Sequence, residues 1–316
     1  MIRRVLAAAA LCLAVTACAT PQTDALRSDS GVLSVDAVIR DAPFFAQRTK
    51  ECGPAALAMA LVRSGISTDP DALVDEVYNP GRGGSLAPAM LAAVRRHGRI
   101  AYPVDELKTL FAEIDQGRPV IVLQNLGLEW LPRWHYAVTV GYDLTQDRIL
   151  LHSGKVPFHE TRLETFERTW ARSDHWALAI LRPGEFPARA DPLLYAKAVA
   201  GVERTGQIEI AAKAYATAVA RWPDDVVLRL ALGNARYRLG DLPAAADAYR
   251  ETTRRHPNRA EAHNNLAHVL GELGRYAEAE AAAEQAVALG GGNAELYRET
   301  LRSIRDARRG SSIRSG

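Results

Sequence analysis

Three glycines, Gly206, Gly240 and Gly274, stand 34 residues apart, and the same step relates Ala211, Ala245 and Ala279, Tyr215 and Tyr249, and Pro223 and Pro257. A fixed period of that length in alanine-rich, helix-forming sequence points to one architecture, a pair of antiparallel helices repeated along the chain. The residue types supply the reason. Glycine turns the chain between the two helices, alanine lets them approach closely, and proline ends the second helix. Three units follow, at 192–225, 226–259 and 260–293, with Gly290-Gly291-Gly292 where the third proline would stand. Such a stack needs a polar end, and the segment from 294 to about 309 reads as a capping helix.

This pattern resembles the tetratricopeptide repeats, an all-α architecture. The resemblance implies a protein-binding scaffold over 191–310 that recruits a substrate or a partner protein. Upstream, between about 35 and 183, helical patterns come first and strand patterns follow. Residues 53–63 read as an amphipathic helix, with Pro54 in the first turn and Gly65 just past the end. Ser85 is placed to cap a second helix that Gly98 closes, and Thr161 to Glu164 has capping-box spacing. The runs 119–124, 136–142, 148–151 and 175–181 read as strands, with 143–147 as a hairpin turn. Residues 37–184 are therefore expected to form an α+β domain, joined to the repeats through 185–190.

The N-terminus has a different character. Arg3 and Arg4 precede the apolar run 5–15, and small residues lead into Cys18. That order marks an export signal, because the run is too short to cross a bilayer. Val15-Thr16-Ala17-Cys18 resembles a bacterial lipoprotein signal. The resemblance implies a signal peptide at 1–17, a lipid on Cys18, a linker at 18–36 and, with Ala19 following, an outer-membrane lipoprotein facing the periplasm. A plain secretory signal is the alternative. The chain has three cysteines, Cys12, Cys18 and Cys52. Cys12 would leave with the signal and Cys18 would become a thioether. Cys52 is then the one thiol of an exported chain, with no intramolecular disulfide partner.

Cys52 opens the 53–63 helix, where unpaired N–H groups and the positive end of the helix dipole favour a thiolate. Gly53 leaves the sulfur sterically open. Gln47 offers a side-chain N–H to the oxyanion of an attacked carbonyl. A thiol nucleophile needs a base, and among eight histidines His135 is the best placed, at the start of a strand. His256, His263 and His268 belong to the repeats, and His97 ends a helix.

Gln47, Cys52-Gly53-Pro54-Ala55, Met59 and Gly65, then His135-Tyr136-Ala137-Val138 and Gly141-Tyr142-Asp143, resemble the bacteriocin-processing cysteine peptidases. These papain-like enzymes cleave after double-glycine leaders, and the resemblance covers roughly 37–183. It implies an α+β papain-like cysteine peptidase domain with Cys52 as nucleophile, His135 as base and Gln47 as oxyanion donor. In that family an aspartate at the end of the next strand orients the imidazole. Here Ser153 falls at its place as the possible orienter, since Asp143 lies about 26 Å along the strand from His135. An imidazolium at His135 and the helix start together predict a depressed Cys52 pKa, with thiolate present below about pH 7.

The remaining features exclude whole classes. Formal net charge is +2, so no whole-chain positive field exists and nucleic acid is not an expected partner. No histidine pair has metallopeptidase spacing and one thiol cannot build a cysteine zinc site, so neither metal nor cofactor is expected. Gly81-Arg82-Gly83-Gly84-Ser85 resembles a phosphate loop, but no lysine follows and Pro88 comes soon after; it reads as a turn into a helix. Asp224-Asp225 reads as a solvated turn. Two functional readings compete: an exported, lipid-anchored thiol peptidase that cleaves a peptide or protein, and a catalytically silent peptide-binding, scaffolding lipoprotein. Thiol acyl transfer to an amine is a third.

Overall fold

The computed structural model of the chain describes residues 19–314; the signal segment 1–17 and the lipidation candidate Cys18 lie outside the described residues. Two compact units form, one from residues up to 182 with 186–190, the other from 183–185 with 191 onward. Among the described residues no helix is long and apolar enough to cross a membrane.

The first unit is an α+β domain. Its strands are β1 (Asp36–Val38), β2 (Tyr78–Asn79), β3 (Gly84–Ser85), β4 (Ile100–Val104), β5 (Val120–Asn125), β6 (Trp134–Asp143), β7 (Arg148–Ser153), β8 (Val156–Arg162) and β9 (Ala177–Leu181). The main sheet runs β4-β9-β5-β6-β7-β8, antiparallel at each pairing. β5 pairs with 134–139 of β6 and β1 with 141–143, so the short strand continues where the long one stops. All five residues of β9 are buried, which requires cover on both faces of the sheet.

The helix Cys52–Arg63 packs on β5 and β6. It was expected to be amphipathic, yet Gly53 through Leu61 are all buried. A helix apolar all round belongs inside a core rather than on it.

Three other expectations give way. The span 18–36, read as a linker, holds the helix Pro21–Ser28 and the start of β1. The buried Glu167 carboxylate accepts from the N–H groups of Gln22 and Thr23, at 2.9 and 2.7 Å, where a helix start favours negative charge. Arg27 ties the other end to Asp147 and Glu164 at 2.8 and 2.6 Å. Ser85 does not cap the next helix, Ala87–Arg96; Leu86 occupies the cap position and Pro88 sits in the first turn. Thr161 to Glu164 forms no capping box, because β8 runs through Arg162 and Glu164 is drawn to Arg27.

The second unit is helical. Pro192–Glu203 pairs with Ile208–Arg221, Val226–Arg238 with Leu242–Arg255, and Ala260–Glu272 with Tyr276–Leu289; Ala294–Arg314 follows. Gly206, Gly240 and Gly274 take φ of 85, 74 and 71°, the left-handed conformation that closes a helix and that other residues resist. Asp225 is not a solvated turn residue. Its carboxylate caps a helix by accepting from Leu228 N–H at 2.9 Å, while Asp224 pairs with Arg255 at 2.8 Å. Ala211, Ala245 and Ala279 are fully buried between helices. Ala245→Leu is expected to overpack the core around Tyr249 and Leu266 and to cost roughly 1–3 kcal/mol, read from the denaturant midpoint at unchanged slope.

Candidate active site

Cys52 is the first residue of its helix and His135 the second residue of β6, directly opposite Gln124 of β5. β6 also meets β7, with Val138 opposite His152. Continuing that register would set His135 against the turn beyond β7, so its ring reaches diagonally to the strand's last residue. His135 Nε2 lies 2.9 Å from Ser153 Oγ. The serine expected at the orienting position does meet the imidazole. That bond occupies Nε2 and leaves Nδ1 for other work.

Gln47 is held from both sides. Its backbone N–H donates to Gly154 C=O at 2.8 Å, and its Oε1 accepts from Gly154 N–H at 3.1 Å. Its Nε2 donates to Tyr136 C=O at 2.9 Å. An N–H on one side and a C=O on the other fix which amide atom is which, so the remaining Nε2 hydrogen has a defined position.

Gln47, Cys52 and His135 line one cleft of about 1140 Å³. Ser153 stands behind His135 rather than in the lining. Asp143 is at the far end of β6, where its Oδ1 accepts from Thr145 N–H at 2.8 Å and organises the hairpin turn. Gly53 serves differently from expectation. A Cβ there would fall 2.2 Å from Ser85 Oγ, so the missing side chain lets β3, a cleft wall, close on the helix start. The phosphate-loop-like segment 81–85 is that wall.

The electrostatics reverse the expected thiolate. Burial pushes the Cys52 thiol above its ordinary value, and the backbone N–H groups of Tyr136, Cys52 and Gly53 only partly offset this. Burial holds the His135 imidazole below its ordinary value, and the Arg133 cation adds to that. Both groups are therefore neutral at rest near pH 7. The parts played by three residues of this environment were not foreseen from sequence. Arg133 lies just before β6, two residues from His135, and its charge bears on the imidazole. Tyr136 supplies both a C=O to Gln47 and an N–H to Cys52. Asn125 fixes the loop before β6, its Oδ1 accepting from Gly127 and Arg133 N–H at 2.9 and 2.8 Å.

The directions give a signed expectation. Alkylation of Cys52 by iodoacetamide should rise with a midpoint above the roughly pH 8.5 of a free thiol. Arg133→Ala should raise the His135 titration midpoint, followed by NMR, because a repelling cation is gone. An alkylation midpoint below about pH 7 would sink this account.

Residues 39–177 match the Peptidase C39 like family, and 203–251 and 230–294 match the tetratricopeptide repeat. Among solved structures, one described as a C39-like peptidase from Bacillus anthracis aligns at 17% identity and a TM-score of 0.42, covering 50% of this chain and 100% of that one. The first tetratricopeptide domain of human RPAP3 aligns at 19% identity and a TM-score of 0.36, covering 39% and 95%. The Yersinia enterocolitica chaperone SycD, in complex with a peptide of the translocator YopD, aligns at 19% and 0.33, covering 39% and 92%. No curated protein matches the chain. By its matched segments, this chain joins a peptidase C39-like domain to tetratricopeptide repeats, a peptidase-like fold with a protein-interaction region.

Proposed function

We propose that this protein is an exported, lipid-anchored thiol peptidase that cleaves a peptide or protein through Cys52 and His135, its repeats recruiting the substrate or a partner. The observation that carries the reading is the 2.9 Å contact of His135 Nε2 with Ser153, which orients an imidazole in the same cleft as a thiol at a helix start. Because both groups rest neutral, the pair works by proton transfer rather than as a stored ion pair. His135 takes the thiol proton through Nδ1 as the sulfur attacks the carbonyl carbon. The oxyanion is met by the spare Nε2 hydrogen of Gln47 and by N–H groups of the helix start. The C–N bond breaks, the leaving amine takes the proton from His135, and water hydrolyses the thioester.

A second reading, a silent module that binds a peptide and scaffolds a complex, is favoured by one observation. Ser153 is neutral, so it positions the imidazole without stabilising its charged form. The two readings separate on turnover. Cys52→Ala should abolish cleavage. Gln47→Ala should lower it by on the order of 10²–10³, since an oxyanion donor acts in the transition state. Ser153→Asp should raise both turnover and the His135 pKa, because a carboxylate stabilises imidazolium. Absence of turnover in the wild type and in Ser153→Asp, over a library of peptides, would leave the binding module.

The anchor belongs to the same proposal. Two residues separate Cys18 from the docked helix Pro21–Ser28, so a lipid on Cys18 would hold the peptidase domain within about 10 Å of the outer-membrane surface rather than on a long tether. Cys18→Ser should leave the precursor uncut or release the chain from the membrane fraction. A wild-type chain without lipid at Cys18 refutes the anchor while leaving the cleft chemistry untouched.

A further inference from the structure

The chain is nearly neutral as a whole, at +2, but its cleft is not. The lining carries Arg48, Lys50, Arg82, Arg133, Lys155 and Arg172 against one carboxylate, Asp174. Arg48 is committed to Asp71 at 2.6 Å, and Arg172 to the carbonyls of Asn125 and Gly127 at 3.2 and 2.6 Å. Lys50, Arg82, Arg133 and Lys155 are exposed and have no anionic partner among the described residues.

These four come from four separate segments: the turn before the Cys52 helix, the glycine-rich wall, the loop before β6 and the β7–β8 turn. Their convergence is therefore a property of the fold and not a charge run on one face. Two are positioned. Lys50 takes φ 67°, a conformation lysine adopts at a cost, and its Nζ would lie 3.6 Å from a Cβ on Gly83. Arg133 is pinned through its backbone N–H to Asn125. Like charges gathered around a concave site repel one another when the site is empty, and an anionic occupant relieves that repulsion while the walls focus the field.

We propose that the cleft selects an acidic peptide, one carrying Asp or Glu side chains on either side of the carbonyl set against Cys52. This rests on the cleft being a peptide site, whether the peptide is cleaved or only held. A peptide fits better than an anionic bilayer, because a flat surface does not reach a floor formed by Gln47, Cys52 and His135.

The test uses the full chain carrying Cys52→Ala, so that nothing is turned over. Two fluorescent peptides of equal length are compared, one with several Glu and one with Gln at the same positions. The Glu peptide should bind roughly tenfold more tightly or better at low salt, since several exposed pairs each contribute a little. That preference should shrink as the Debye length falls from about 30 Å at 0.01 M to about 10 Å at 0.1 M salt. Replacing Lys50, Arg82, Arg133 and Lys155 by serine should erase it. If that variant fails to fold, the salt series on the Cys52→Ala chain decides alone. Equal binding of the two peptides overturns the proposal. So does binding to anionic phospholipid vesicles that the four serines abolish while the Glu peptide is ignored. Cleavage by the intact cysteine is read separately. A Glu preference without cleavage keeps this proposal and removes the peptidase; cleavage of both peptides at one rate does the reverse.

Discussion

Burial of the helix Cys52–Arg63 against β5 and β6 is the contact on which the peptidase-like unit depends. Leu57, Met59 and Leu61 along it are fully buried, and each such side chain contributes on the order of 1.5–3 kcal/mol by leaving water. Because the helix is buried from Gly53 to Leu61, the core sets where its partly exposed first residue, Cys52, stands. β6 contributes from the other side. Tyr136 meets the helix start with its backbone, and His135 precedes it on the strand. The site is therefore assembled by packing that is itself apolar and indifferent to chemistry.

The same burial sets the electrostatics. A helix start alone favours a thiolate, but desolvation opposes any charge, and here desolvation is the larger effect on both Cys52 and His135. Arg133 reinforces this by repelling an imidazolium. Ser153 supplies direction without charge. A neutral pair that moves a proton during attack is consistent with such a site, because burial disfavours both charged forms at rest. Of the cations lining the cleft, Arg133 acts on His135 itself, while the others there do not enter the shifts of Cys52 or His135.

The repeat unit obeys simpler rules. Its contacts are local, between helices adjacent in sequence, so residue type at a fixed period carries most of the information. Glycine at the turn, alanine at the helix contact and aspartate at the cap each have one physical task, and the structure assigns them those tasks at 206, 240 and 274, at 211, 245 and 279, and at 191, 225 and 241.

That contrast decides how far the amino-acid sequence reads on its own. The sharing of one cleft by Gln47, Cys52 and His135 was implied by the resemblance to the bacteriocin-processing peptidases, and hairpin register added the placing of Ser153 beside His135. The helical repeats and the α+β order of elements were legible, because periodicity and strand alternation are local rules that a chain carries with it. The docked helix Pro21–Ser28 was not, since its partner Glu167 lies 144 residues away from Thr23 in sequence. Nor was the role of Gly53, which depends on Ser85 arriving from another segment. The resting charge of Cys52 was misjudged because desolvation is a property of everything packed around the sulfur. The cationic rim escaped for the same reason: charges scattered along a nearly neutral chain become a field only when tertiary structure brings them to one concave wall.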